Sequence, residues 1–282
     1  MKFLHATLLL SALVAQPVLA EFSFTDSATL NGVPIPKSEI KLEPFEPIPR
    51  RINHNASAPA ASSAHRKVRR ANTAAYSSNW CGSVSHTTST NQIKLIHAYF
   101  QHPSCTKRTG VTMYPQAAAA WAGIDGDSWT SALLQSGTVC KIDNSTGVVR
   151  NEAWWQWVPS GAFTISSMPV AANDWFEVLI NTTSTTAAKI TLTNISQGYA
   201  YTVTVTGGAT LARVDADWIL ERPYYGSSLA GFAQFTDVWF QEAYATLSNG
   251  ASLGILGAKQ YQISGTCASA EYDNADLAAW VP

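Results

Sequence analysis

The chain has 282 residues and 18 Lys/Arg against 19 Asp/Glu, a formal net charge of −1, with 46% hydrophobic residues. That length fits a leader plus one sizeable domain. The balance of charge leaves no basic patch for nucleic acid in the later part of the chain.

Residues 1–20 read as a secretory signal, with Lys2 ahead of the apolar run "LLLSALVA" and small residues up to Ala20. Residues 21–70 change character: they contain "VPIPKSEIKLEPFEPIPRR" and end in "HRKVRR". The pair Arg69-Arg70, followed by "ANTAAYSSNW", marks a processing site, so 21–70 reads as a propeptide. The domain left after cleavage is Ala71–Pro282, secreted and extracellular, and expected to be a monomer. Residues 21–70 carry eight Lys/Arg against five Asp/Glu, a net of +3, and residues 71–282 carry nine against fourteen, a net of −5. Opposite signs predict electrostatic docking of the propeptide, weakening as pH falls and the domain's carboxylates protonate. Nothing after residue 20 is apolar enough to span a membrane.

Beyond residue 71 the pattern has period two. "NQIKLIHAYF", "DWFEVLIN", "AKITLTNIS" and "AYTVTVTG" alternate β-branched or aromatic residues with polar ones, between Gly, Asn, Ser and Pro clusters. No segment carries an apolar stripe of helical period. Many short strands in one domain predict an all-β, antiparallel β-sandwich or barrel. All ten tryptophans lie after the processing site, more than such a core needs, and some are expected to line a groove. Strand alternation sorts the polar residues. In "DADWILE", Trp218 and Leu220 face away from Asp217, Ile219 and Glu221. In "SALLQS", Gln135 shares a face with Leu133, and in "EAWWQWVP", Gln156 shares one with Glu152 and Trp154.

Several chemistries fail. "GASLG", Gly250 to Gly254, matches a nucleophile-elbow pattern, but no histidine follows His102 to complete it. His86, His97 and His102 lack metal-ligand spacing and read as surface or strand positions. "DGD", Asp125 to Asp127, lacks the later ligands of a calcium loop. No metal or other cofactor is expected. Cys81, Cys105, Cys140 and Cys267 predict two disulfides, with three pairings open. Asn144, Asn181 and Asn194 begin glycosylation sequons.

A carboxylate-based hydrolase remains, and the ordered motifs "YSSNWCG", "AAAWAGIDGD", "ALLQSG", "AWWQWVP" and "ADWILE" resemble the eqolisins, the glutamic peptidases. The resemblance implies a sandwich of two bent antiparallel sheets, of concanavalin-like jelly-roll type, with the catalytic pair on the concave face of one. Carried over by motif, that pair is Glu221 and Gln135, with Trp80, Trp121, Asp125 and Gln156 near the site as substrate-binding residues. It implies a secreted, metal-independent acid endopeptidase, made as a zymogen, acting on protein or peptide substrates. Gln156 stands where the family has a glutamate, Val139 where it usually has an aspartate, and Arg222 follows Glu221 in place of an acid. Two alternatives remain: a carbohydrate-binding or glycan-hydrolysing sandwich, and an inactive eqolisin-like protein.

Overall fold

The computed structural model describes residues 22–45 and 74–282; the signal sequence and the Arg69-Arg70 processing site lie outside them. Two ten-stranded sheets face each other. The first runs, edge to edge, Val33–Pro34, Ser23–Leu30, Tyr199–Thr206, Ala188–Asn194, Trp175–Thr182, Ile93–Gln101, Val238–Leu247, Leu277–Trp280 and Ala268–Glu271. The second runs Leu42–Pro44, Ala162–Ile165, Val149–Val158, Leu133–Ile142, Gln116–Ile124, Asp215–Glu221, Trp80–His86, Lys259–Gln262 and Ala75–Tyr76. One further two-residue strand pairs off each path. The fold is the all-β sandwich that the alternation predicts. Among the described residues no helix is long and apolar enough to cross a membrane.

The period-two patterns explain the layers. The core between the sheets takes Ala216, Trp218 and Leu220 from one strand and Trp155 and Trp157 from another, against Phe100, Phe176, Val178, Tyr201 and Phe240 of the facing sheet. The alternate residues Ile219 and Trp154 point the other way. With Trp80, Trp121, Leu133, Val139 and Tyr261 they form a second apolar cluster on the outer face of the second sheet. Burying both faces of one sheet makes its central strands apolar throughout, and Gln116–Ile124 is buried at every position.

Disulfides join Cys81 to Cys267 and Cys105 to Cys140, settling the pairing. The first ties the second sheet to the chain's last hairpin across 186 residues. Of the three sequons, Asn144 and Asn181 are exposed, whereas Asn194 is buried. Asn194 donates its amide to the Pro169 carbonyl and to Asp174, both at 2.8 Å.

Residues 22–45 are part of both sheets. Ser23–Leu30 pairs antiparallel with Tyr199–Thr206 over its whole length. Leu42–Pro44 pairs with Ala162–Ile165 at the edge of the second sheet. Phe24 packs edge-on against Trp155 at 5.2 Å and against Phe163 at 5.1 Å. The one ion pair of this segment among the described residues, Lys37 with Asp26, is internal to it. The segment's charge therefore does not describe how it is held: these contacts are backbone ladders and aromatic packing.

Candidate active site

The outer face of the second sheet carries the polar residues singled out by alternation, and register fixes their neighbours. Glu221 lies between Trp80 and Ala119. Trp121 lies between Ile219 and Gly137, and Gln135 between Gly123 and Gln156. All five polar and aromatic side chains are buried in the full chain.

Glu221 accepts hydrogen bonds from Trp121 and Asn79. Trp121 Nε1 donates to Oε2 at 2.9 Å, and Asn79 Nδ2 to Oε1 at 3.4 Å. The indole reaches the carboxylate because two glycines clear its path. A Cβ on Gly137 would stand 2.6 Å from Trp121 Cα and Cβ, and one on Gly123 would stand 2.9 Å from Trp121 Cζ3. Trp80 meets Trp121 edge-on at 5.1 Å. Asn79 is set by Ser77, whose hydroxyl donates to its Oδ1 at 3.0 Å and accepts the Trp80 N–H at 3.0 Å. In the sequence Asn79 shows only as part of "SSNW", and strand alternation places Trp154 on this face without giving it a role.

Gln135 makes a separate contact. Its Nε2 donates to Gln156 Oε1 at 3.0 Å, directly across the strand pair. Its own Oε1 is buried without a hydrogen-bond partner among the described residues. Glu221 and Gln135 share the face but stand four positions apart in register, with Trp121 in the row between.

Asp125 stands just past the end of the Gln116–Ile124 strand. At φ 68° it turns the chain after Gln116–Ile124. Its carboxylate accepts the N–H groups of Arg213 and Val214 at 2.8 Å and of Asp215 at 3.3 Å, clamping the entry to the Glu221 strand. Burial pushes its pKa up to about 6, against the pull of those backbone donors. A charged cluster adjoins it. His86 Nε2 lies 3.2 Å from Asp127 and its Nδ1 2.9 Å from Asp215; Tyr261 donates to Asp127 at 2.8 Å and Lys259 Nζ is 3.5 Å away. Hydrogen bonds first to Asp127 and then to Asp215 raise the His86 pKa to about 9. His86 is an exposed residue at the end of a strand, as the sequence reading has it, and it is paired there with these two carboxylates. Asp217, fully buried, has neither oxygen hydrogen-bonded among the described residues, and desolvation, then the nearby carboxylates, drive its pKa well above the usual range.

These groups predict a fold that favours acid. A carboxyl whose folded pKa exceeds its unfolded value binds more protons in the native state, so stability falls as pH rises from about 4 through the raised value. Asp125 and Asp217 both act in this sense. His86 adds stability that is fully present below its ordinary 6.5 and is lost as pH rises through about 9. The shift at Asp125 alone corresponds to about 3 kcal/mol. The melting temperature should therefore drop by roughly 5–10 °C between pH 5 and pH 8. Asp217→Asn, which cannot ionise, should flatten that slope. Equal melting temperatures at the two pH values would contradict it.

Fold and site together define an all-β sandwich that carries a buried carboxylate and a buried carboxamide on one outer sheet face. The chain belongs to the Peptidase A4 family, whose model matches residues 78–278. It is 36% identical over 140 residues to Aspergillopepsin-2 of Aspergillus niger, covering 49% of this chain and 48% of that protein. It is 28% identical over 148 residues to Scytalidopepsin B of Scytalidium lignicola, covering 51% of each. The aligned stretch thus spans about half the length of these relatives. Among solved structures, aspergilloglutamic peptidase from Aspergillus niger superposes with a TM-score of 0.55 at 29% identity, covering 59% of this chain and 99% of that one. Scytalido-glutamic peptidase bound to a transition-state analogue superposes with a TM-score of 0.64 at 23% identity, covering 73% of this chain and 98% of that one, a likeness of fold.

Proposed function

We propose that this chain is a secreted acid endopeptidase in which Glu221 and Gln135 activate water against a peptide bond. The observation that carries the reading is the Glu221 carboxylate, fixed by Trp121 and Asn79 on the face that also presents Gln135. Glu221 takes a proton from the attacking water as its oxygen bonds to the carbonyl carbon. It then returns that proton to the amide nitrogen as the C–N bond breaks. The Gln135 carboxamide orients the water through Oε1 and donates an N–H to the oxyanion. Trp80 and Trp121 wall the site, Asp125 positions the Glu221 strand, and Gln156 holds Gln135. No metal and no covalent intermediate enters the cycle. Residues 21–70 act as a propeptide that covers this face until cleavage after Arg70. The Phe45 ring, stacked on Trp154 at 5.0 Å, supports that role.

The test is cleavage of an acid-denatured protein between pH 2 and pH 7, with glycan binding measured alongside. Activity is expected in acid and should persist with pepstatin or a chelator. Inhibition by a chelator, or glycan binding without cleavage, would overturn the reading.

A further inference from the structure

Trp154 takes no part in the pair above, yet it lies at the centre of the same face. It sits in the register row of Gly137 and Trp121, between the rows of Gln135 and Glu221. Its indole N–H is buried without a hydrogen-bond partner among the described residues. Phe45 lies flat on it, with 5.0 Å between ring centroids and 12° between planes, and Phe45 is itself buried. The backbone leading to that ring is extended along the edge strand Ala162–Ile165, pairing Leu42 with Ile165, Glu43 with Thr164 and Pro44 with Phe163. Phe45 N–H then donates to the Ala162 carbonyl at 3.0 Å.

From this arrangement we infer that the Ala162–Ile165 edge and the Trp154 indole form a substrate subsite for an extended peptide bearing an aromatic side chain, which residues 42–45 fill from within. The reasoning is chemical. An edge strand offers a ladder of N–H and C=O groups that any extended backbone can join, whatever its sequence. Selectivity then comes from the side-chain pocket, and a flat indole face next to small Ala162 fits a planar ring better than a branched chain. The free indole N–H supplies a donor for a carbonyl of the incoming peptide. Gln156, two residues along the same strand face, links this pocket to Gln135. The inference rests on the peptidase reading and adds to it the class of side chain recognised beside the reacting bond.

The test uses the full chain carrying Glu43→Pro and Phe45→Ala, which removes a ladder donor and the ring that fill the subsite. Two probes are titrated by tryptophan fluorescence: acetyl-Lys-Leu-Glu-Pro-Phe-amide and the same peptide ending in alanine. The variant should bind the phenylalanine probe at least about tenfold more tightly than the alanine probe, and more tightly than the unmodified chain binds it. Adding Trp154→Ala should abolish the preference, and Trp154→Phe, which keeps a flat ring, should retain part of it. Equal binding of both probes, or a preference that survives Trp154→Ala, would overturn the subsite. Because binding is read without turnover, the two ideas separate: a preserved preference in a chain that hydrolyses nothing sinks the peptidase reading and leaves the subsite standing.

Discussion

Glu221→Gln is expected to fold like the parent and to lose about 10³-fold or more in kcat at acid pH. The side chain keeps its shape, and its amide oxygen can still accept from Trp121, so the buried face stays packed. What vanishes is the only form of the residue able to take a proton from water. The new amide also sets donor against donor at Asn79, whose Nδ2 faces the carboxylate in the parent. That contact predicts a small loss of stability, on the order of 1 kcal/mol. Thermal melts and cleavage rates on one preparation would separate the two effects. Trp121→Phe is the informative companion: it keeps a ring over Gly123 and removes the N–H, so it should reduce kcat without abolishing it. Glu221→Gln with more than a few per cent of parental activity would remove Glu221 from the chemistry.

How much of this was legible beforehand depends on the range of the interaction concerned. The faces were legible, because strand periodicity is local: "DADWILE" does place Trp218 and Leu220 in the inter-sheet core and Ile219 outside it. The hydrogen bonds were not, because each depends on register between strands. Gln135 and Gln156 are 21 residues apart and meet only when their strands pair. Asn79 reaches Glu221 across 142 residues. For residues 22–45 net charge predicts electrostatic docking of a propeptide, while "SFTDSATL" also alternates as a strand does and supplies one. Asp125 was grouped with the site from its motif, and its carboxylate is taken up by three backbone amides whose positions no local pattern reveals. The disulfide pairing likewise follows from sheet topology, which spacing alone did not choose.

Gln135→Ala is expected to cost on the order of 10²–10³ in kcat with KM changed far less, because its amide is needed most where charge develops in the transition state. The truncation also leaves Gln156 Oε1 without its partner on a buried face, so a modest fall in melting temperature should accompany it. Gln135→Glu tests the same position from the other side. It removes the neutral donor and sets a second carboxyl on the face of Glu221, where two like charges resist ionising together. Its loss should match that of the alanine variant even though volume is conserved. Gln156→Glu restores the acid that resembling sequences carry there and still accepts the Gln135 N–H, now with charge to strengthen the bond. Activity should therefore survive in Gln156→Glu. The added negative charge disfavours ionisation of the general base, however, so the acid limb of the pH–kcat profile should move to higher pH than in the parent. On that expectation a neutral amide at position 156 would extend the working range toward lower pH. The profile of Gln156→Glu measured beside that of the parent decides it: superimposable acid limbs would show that position 156 holds Gln135 in place and does nothing to the charge balance of the site.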